Sequence, residues 1–256
     1  MTKYPFIPVN IPLVDGNEKK YLNECIDTGW ISSEGPFVKQ FEDQFANRVQ
    51  RKYAIAVTNG TAALDVGIEA LGIGPGDEVI LPAFTIISCI GQIIRSGATP
   101  VLVDSDPLTW NMNLKQVEEK ITEHTKAIMV VHIFGLPVDV EPLLEIAKNK
   151  NIKIIEDAAE MHGQTYNLKP CGSFGDISIF SFYANKNITT GGEGGALVTN
   201  DLNLANKVRK LSLHGISRDG WKRHNAGGKW EYDVSELGFK YNLTDMAASF
   251  GLWQLT

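Results

Sequence analysis

The sequence predicts an α/β fold: a mostly parallel mixed sheet with helices on both faces. Three observations carry that prediction. Short, nearly all-apolar runs recur along the chain, amphipathic stretches of helical spacing separate them, and turn-forming residues stand at many of the junctions. Strands covered on both faces read as continuous apolar runs, whereas half-exposed strands alternate.

Tyr53–Val57 (YAIAV) is the first strand, followed by a turn signal and a helical stretch closing at Gly72. Glu78–Leu81 (EVIL) is the second and leads into a helix-like stretch ending at Arg95. Pro100–Val103, Ala127–Val131 and Ile152–Ile155 repeat the pattern, with helices over Asn113–Ile121 and Val140–Asn149 between them. Ile177–Phe182 and Gly195–Val198 flank a glycine-rich loop too short for a helical crossover, so one of the two runs antiparallel to its neighbour. Leu202–Leu213 is helical. Gly215–Lys240 is an irregular polar excursion, whose Trp221 and Trp230 read as packing or dimer contacts. Leu243–Leu255 begins another helix with Thr244 as its cap. The pattern stops in mid-period, which predicts a fragment whose C-terminal part is absent.

Composition narrows the function classes. The 256 residues are 43% apolar and 21% charged, which excludes a disordered chain, a collagen-like repeat and a small disulfide-stapled domain. A net charge of −6 without a basic run argues against nucleic acid or an anionic membrane as partner. Cys25, Cys89 and Cys171 stand far apart and odd in number, which fits free thiols in a reducing, cytoplasmic setting. The longest charge-free apolar stretch, Val79–Ile94, is 16 residues and holds Pro82 and Gly91, short of the ~20 that span a bilayer. The histidines are not spaced as a metal site, so no metal is predicted.

In open α/β sheets ligands bind beyond the carboxyl ends of the strands. After Tyr53–Val57 come Asn59, Gly60 and Thr61, opening a helix; this fits an anion site, or an ordinary strand–helix turn with Thr61 as cap. Phe84, after the second strand, fits stacking on a planar ring or packing in the core. Glu156 and Asp157 follow the very apolar Ile152–Ile155. A carboxylate there is part-buried and needs a cationic or N–H partner, unless it caps a helix. Lys186 lies between an apolar strand and a run of glycines; it fits a Schiff-base lysine or a solvated loop residue. Together these four features are what pyridoxal phosphate requires: a phosphate cradle, a ring stacker, a carboxylate for the pyridine nitrogen and a lysine for the aldehyde.

The segments LVDGNE (13–18), TGWISSEG (28–35), TNGTAAL (58–64), GIGPGDEVILPAFT (72–85), GATPVLVD (97–104), EDAAEMHG (156–163), FSFYANKNITT (180–190), EGG (193–195), HGISRD (214–219) and GFKYNLTDMAASFGLWQL (238–255) occur in this order. In these segments the chain resembles the DegT/StrS-type sugar-nucleotide aminotransferases, of fold-type I pyridoxal-phosphate architecture. The resemblance implies an N-terminal segment over 1–30 and a cofactor-binding large domain over 31–256, with the family's small C-terminal domain missing. It implies that Lys186 holds the cofactor aldehyde and shuttles the proton, and that Asp157 pairs with the pyridine nitrogen. Glu160 lies near the phenolic oxygen, Phe84 stacks on the ring, and Gly60, Thr61 and Ser181 hold the phosphate. Asn242 resembles the residue that reaches the neighbouring subunit's phosphate, which implies a homodimer with shared active sites. Trp30, Ile31 and Ser32 resemble the strip lining the sugar-nucleotide side.

The implied reaction moves an amino group from L-glutamate to a keto group, at C4, of a nucleotide-linked 4-keto-6-deoxy sugar. Alternatives within the resemblance are amination at C3 and the sugar dehydratase branch, which carries histidine where Lys186 stands. A non-catalytic cofactor-binding homologue is a further alternative. Two departures stand out. Gly191 and Gly192 both precede Glu193 where the family usually has one glycine, which predicts a looser loop around Lys186, and the absent C-terminal domain leaves closure of the site open.

Overall fold

A computed structural model describes residues 5–8, 10–216 and 233–256. Trp221, Trp230, His224 and the end of the HGISRD segment lie outside the described residues. Two helices come first, α1 (Glu18–Thr28) and α2 (Pro36–Arg48). The sheet then forms from β1 (Tyr53–Val57), β2 (Glu78–Pro82), β3 (Thr99–Val103), β4 (Thr125–Val131) and β5 (Lys153–Asp157). Between them lie α3 (Gly60–Ala70), α4 (Ile87–Arg95), α5 (Leu114–Glu119) and α6 (Glu141–Lys150). A short hairpin, β6 (Thr165–Tyr166) and β7 (Lys169–Pro170), precedes β8 (Ile177–Ser181), β9 (Gly195–Thr199), α7 (Leu202–Leu211) and α8 (Asp245–Gln254).

The seven-stranded sheet has the order β1-β9-β8-β5-β4-β2-β3. Every pairing from β8 through β3 is parallel, while β9 is antiparallel to both neighbours. The expected antiparallel member of the β8/β9 pair is therefore β9. Because side chains alternate along a strand, each sheet face gathers its own core. Ile55, Val57, Leu81, Met129, Ile155, Ile179 and Leu197 face α3, α4 and α7. On the other face Ala54, Phe180, Phe182 and Val198 meet α2 and α8, and Ile80, Ile128, Val130 and Ile154 meet α5 and α6.

Apart from the β6–β7 hairpin, which the sequence pattern does not predict, the strands and helices from β1 onward fall within a few residues of their predicted places. Thr244 caps α8 as expected, its hydroxyl accepting from Ala247 N–H at 3.2 Å. The start of α3 is capped by Asn59, whose Oδ1 accepts from Ala62 N–H at 2.8 Å, and not by Thr61. Glu156 and Asp157 are the last two residues of β5 rather than the first residues after it. The sequence reading assigned no helix before Tyr53. Yet Phe37, Phe41 and Phe45 recur every four residues behind Pro36 at the first turn, and all three are buried. Asp245 at the start of α8 accepts from the N–H groups of Gly35, Phe37 and Val38 at 2.7–3.2 Å, which ties the first turn of α2 to α8.

Glu156 is fully buried and surrounded by donors. Its oxygens accept from the His132 ring at 3.1 Å, Phe174 N–H at 2.9 Å, Gly175 N–H at 3.1 Å, the Ser178 hydroxyl at 2.8 Å, and Gly172 N–H. Val138 N–H donates to His132 Nδ1 at 3.0 Å, so Nε2 carries the ring proton and points it at Glu156. Burial pushes the Glu156 carboxyl up, but the His132 hydrogen bond and the N–H groups of Gly172 and Phe174 outweigh it and hold it below the usual carboxylate range. Arg51, also buried, donates to the Gly172 and Gly175 carbonyls and to Ser178.

The His162 ring packs among Phe45, Phe180 and Phe182, at centroid distances of 5.8, 5.1 and 5.3 Å. Burial, with the Lys186 and Arg48 charges, pushes its pKa down to about 4 against the opposing pull of the Ser181 carbonyl.

Two stability predictions follow from these buried groups. Glu156→Gln turns an amide N–H toward donors and leaves one or two of them without an acceptor. The expected cost is about 2–4 kcal/mol in urea unfolding, and a cost below about 0.5 kcal/mol would contradict the network described. For His162, the unfolded ring protonates near pH 6.5 and the native ring only near pH 4. The unfolded state thus binds more protons between those values, and stability falls as pH drops through them, by up to ~1.4 kcal/mol per pH unit from this group. Urea unfolding across pH 4–6.5 should show a shallower slope for His162→Gln, and identical slopes would refute the assignment.

Candidate active site

The carboxyl ends of β1, β2, β4, β5 and β8 open into one cleft of about 920 Å³, within the size range of small-molecule sites. Its position follows from the sheet, because parallel strands end together and their connecting loops diverge there. Gly60, Thr61, Phe84, Asp157, Glu160, Ser181 and Lys186 all line it.

At one end stands the start of α3. The first N–H groups of a helix have no intrahelical acceptor, and here they belong to Gly60 and Thr61. A Cβ added at Gly60 would lie 3.0 Å from Ser181 Cβ, so the α3 terminus abuts the end of β8. The Thr61 and Ser88 hydroxyls lie 2.8 Å apart beside it. Open N–H groups, a positive helix end and three hydroxyls form an anion cradle of the kind that takes a phosphate. Gly195 allows this closeness: a Cβ there would lie 2.3 Å from the Asn59 carbonyl carbon.

On the floor of the cleft, Asp157 and Ser181 project from the same sheet face, as the alternation from Ile155 and Ile179 requires. Asp157 is 4% exposed. Its Oδ1 accepts from Ala159 N–H at 3.0 Å and its Oδ2 from the Cys89 thiol at 3.2 Å. Burial pushes its carboxyl above the usual range, and those two donors and the Lys186 charge only partly offset that. A buried carboxylate raised in this way favours a cationic partner in the cleft, and a protonated heterocyclic nitrogen is one.

Lys186 lies in the loop after β8. Its Nζ is 3.0 Å from Glu160 Oε1, and Glu160 Oε2 accepts Phe134 N–H at 3.0 Å. The loop is tied, against the expectation that the second glycine would loosen it. Thr189 Oγ1 accepts from Gly191 and Gly192 N–H at 3.3 Å, and Ala184 N–H donates to Gly192 O at 3.1 Å. The φ values of +95° and +128° at Gly191 and Gly192 lie where glycine is favoured, so both residues suit the turn. Phe84 is 39% exposed in the cleft, its ring met edge-on by Trp110 at 5.3 Å and Phe134 at 6.2 Å.

The remaining candidates stand apart from this cleft. Trp30, Ile31 and Ser32 are not part of its lining; they link α1 to α2, and the Ser32 carbonyl accepts Asp245 N–H. Asn242 pairs with Val57 through the backbone, while its neighbour Tyr241 lines the cleft and donates to Asp65 at 2.9 Å. Nothing in the sequence pattern assigns His132 or Cys89 a part in the site. His132 lines the cleft and Cys89 touches Asp157, contacts made by residues too distant in sequence for any spacing to reveal. Among the described residues there is no group of three or more His, Cys, Asp or Glu placed to hold a metal, and no helix long and apolar enough to cross a membrane.

The family model of the DegT/DnrJ/EryC1/StrS aminotransferases matches residues 12–256. GDP-perosamine synthase of Escherichia coli O157:H7 is 46% identical over 98% of this chain and 66% of its own length. GDP-perosamine synthase of Caulobacter vibrioides is 47% identical over 100% of this chain and 66% of its own. The chain thus spans just under two thirds of the length of these curated relatives. Spr1654 from Streptococcus pneumoniae, solved in a PLP-form, superposes with a TM-score of 0.88 at 33% identity, over 97% of this chain and 66% of that one. The cleft geometry and these matches agree, and the chain belongs to the DegT/DnrJ/EryC1/StrS aminotransferase family.

Proposed function

We propose that this chain is the cofactor-binding part of a pyridoxal-phosphate-dependent aminotransferase. It moves an amino group from L-glutamate to the C4 keto group of a nucleotide-linked 4-keto-6-deoxy sugar. The observation that carries the reading is the meeting, in one cleft, of Lys186 paired with Glu160, the buried Asp157 and the open start of α3. Relatives named GDP-perosamine synthase support a GDP-linked amino sugar as the product class.

The residues fit the cofactor. When bound, pyridoxal phosphate supplies an aldehyde that carries the amino group and a ring that withdraws electrons. Gly60 and Thr61 N–H with the Thr61 and Ser181 hydroxyls would hold its phosphate, and Phe84 would cover its ring. Asp157 would hold a proton on the ring nitrogen, an ion pair that relieves the burial of its carboxylate. Lys186 would hold the aldehyde and carry the proton between donor and acceptor carbons, with Glu160 fixing Nζ between turnovers. Asn242 fits a role across a subunit boundary, toward a second copy's phosphate, and the Trp30–Ser32 strip fits one on the sugar-nucleotide side. A homodimer is therefore part of the proposal. A cytoplasmic setting is supported by Cys25, Cys89 and Cys171, all free and buried.

Absorbance spectra of the protein with pyridoxal phosphate, before and after L-glutamate, test this reading. A visible band should form, be absent in Lys186→Ala, and bleach on adding glutamate; no Lys186-dependent band would refute the function. Asp157→Ala should still form the band but lower glutamate-dependent bleaching by at least about 100-fold, since the ring nitrogen loses its proton partner. Bleaching at the parent rate would remove Asp157 from the chemistry.

A further inference from the structure

The two oxygens of Asp157 are held by donors of unequal strength. Oδ1 accepts a backbone N–H, from Ala159 at 3.0 Å, whereas Oδ2 accepts the thiol of Cys89 at 3.2 Å. Cys89 sits in α4 with no exposed surface, and its sulfur in turn accepts from the Thr85 hydroxyl at 3.3 Å. An S–H is a weaker donor than an N–H or O–H. It can restrain a carboxylate while drawing off little of its negative charge.

We propose that Cys89 is a positioning residue for Asp157: its thiol, oriented by Thr85, fixes the plane of the carboxylate so that its remaining lone pairs face the cleft with most of their charge. The proposal rests on the reading that Asp157 holds a protonated ring nitrogen. Burial and the neighbouring Asp157 charge push the Cys89 thiol far up, so it stays protonated and remains a donor at any working pH. A buried thiol that stays protonated is a poor nucleophile, which suits a positioning role. Alanine at 89 leaves Oδ2 free to rotate away. Serine keeps a donor, and a stronger one.

Pyridoxal-phosphate titrations of the parent protein, Cys89→Ala and Cys89→Ser, followed by absorbance at several pH values, test this beside thermal unfolding of each. Cys89→Ala should weaken cofactor binding about three- to tenfold and displace the pH midpoint of the bound cofactor's band. Cys89→Ser should restore affinity to within about twofold. A purely structural thiol would lower the melting temperature and leave affinity and midpoint unchanged in the folded protein. That result, or a serine variant as impaired as the alanine one, overturns the proposal. A parent protein that binds no pyridoxal phosphate overturns the proposed function and this inference with it. The infrared S–H stretch of Cys89, identified among the three free thiols as the band lost in Cys89→Ala, needs no cofactor. The hydrogen-bonded band should move toward the free-thiol frequency in Asp157→Ala, and a band that does not move overturns the proposal by itself.

Discussion

Two adjacent carboxylates end β5, and both are buried; the pleat of the strand sends them to opposite faces of the sheet. That constraint divides their work. Glu156 turns to the α5/α6 face and is saturated by five donors, so its charge is neutralised locally and anchors the 172–175 loop and the start of β8. Asp157 turns to the α3/α4 face with only two donors, at the floor of the cleft. An anion so placed is costly by itself and is stabilised by whatever cation enters. The same desolvation thus makes one residue a structural anchor and leaves the other the cation-seeking group that the proposed function assigns to the cofactor's ring nitrogen.

The rest of the cleft is arranged around that floor. Parallel pairing of β5 with β4 and β8 brings Val131, Asp157 and Ile179 level, so the loops that follow diverge from one line. The antiparallel β9 returns between β8 and β1 and, through Gly195, lets the start of α3 lie against the end of β8. An anion cradle and a cation-seeking carboxylate thereby face one space, a pairing that matches a ligand carrying both a phosphate and a basic ring nitrogen.

The strands of the seven-stranded sheet were legible because covered strands are nearly all apolar, a pattern that needs no tertiary information, whereas the short polar β6–β7 hairpin carries no such run. The α1 helix was not, since EKKYLNECIDT is polar around most of its circumference and buries little beyond Glu18 and Cys25. The α2 helix carried its signal openly, in phenylalanines spaced by four. At the site, Lys186, Phe84, Gly60 and Thr61 could be picked out because each follows an apolar run. The choice between Glu156 and Asp157 rested on family resemblance. A reading that ends the strand at Ile155 loses the alternation that separates them. The ties of Cys89 to Asp157 and of His132 to Glu156 join residues 68 and 24 positions apart, and no local pattern encodes them.

The proposed role of Asp157 requires its buried carboxylate to hold a proton on the cofactor's ring. Nitrogen-15 NMR of the protein loaded with ring-labelled pyridoxal phosphate measures that proton directly. A protonated ring nitrogen through neutral pH, lost in Asp157→Ala, is the predicted result. An unprotonated ring nitrogen in the parent protein at neutral pH would contradict it.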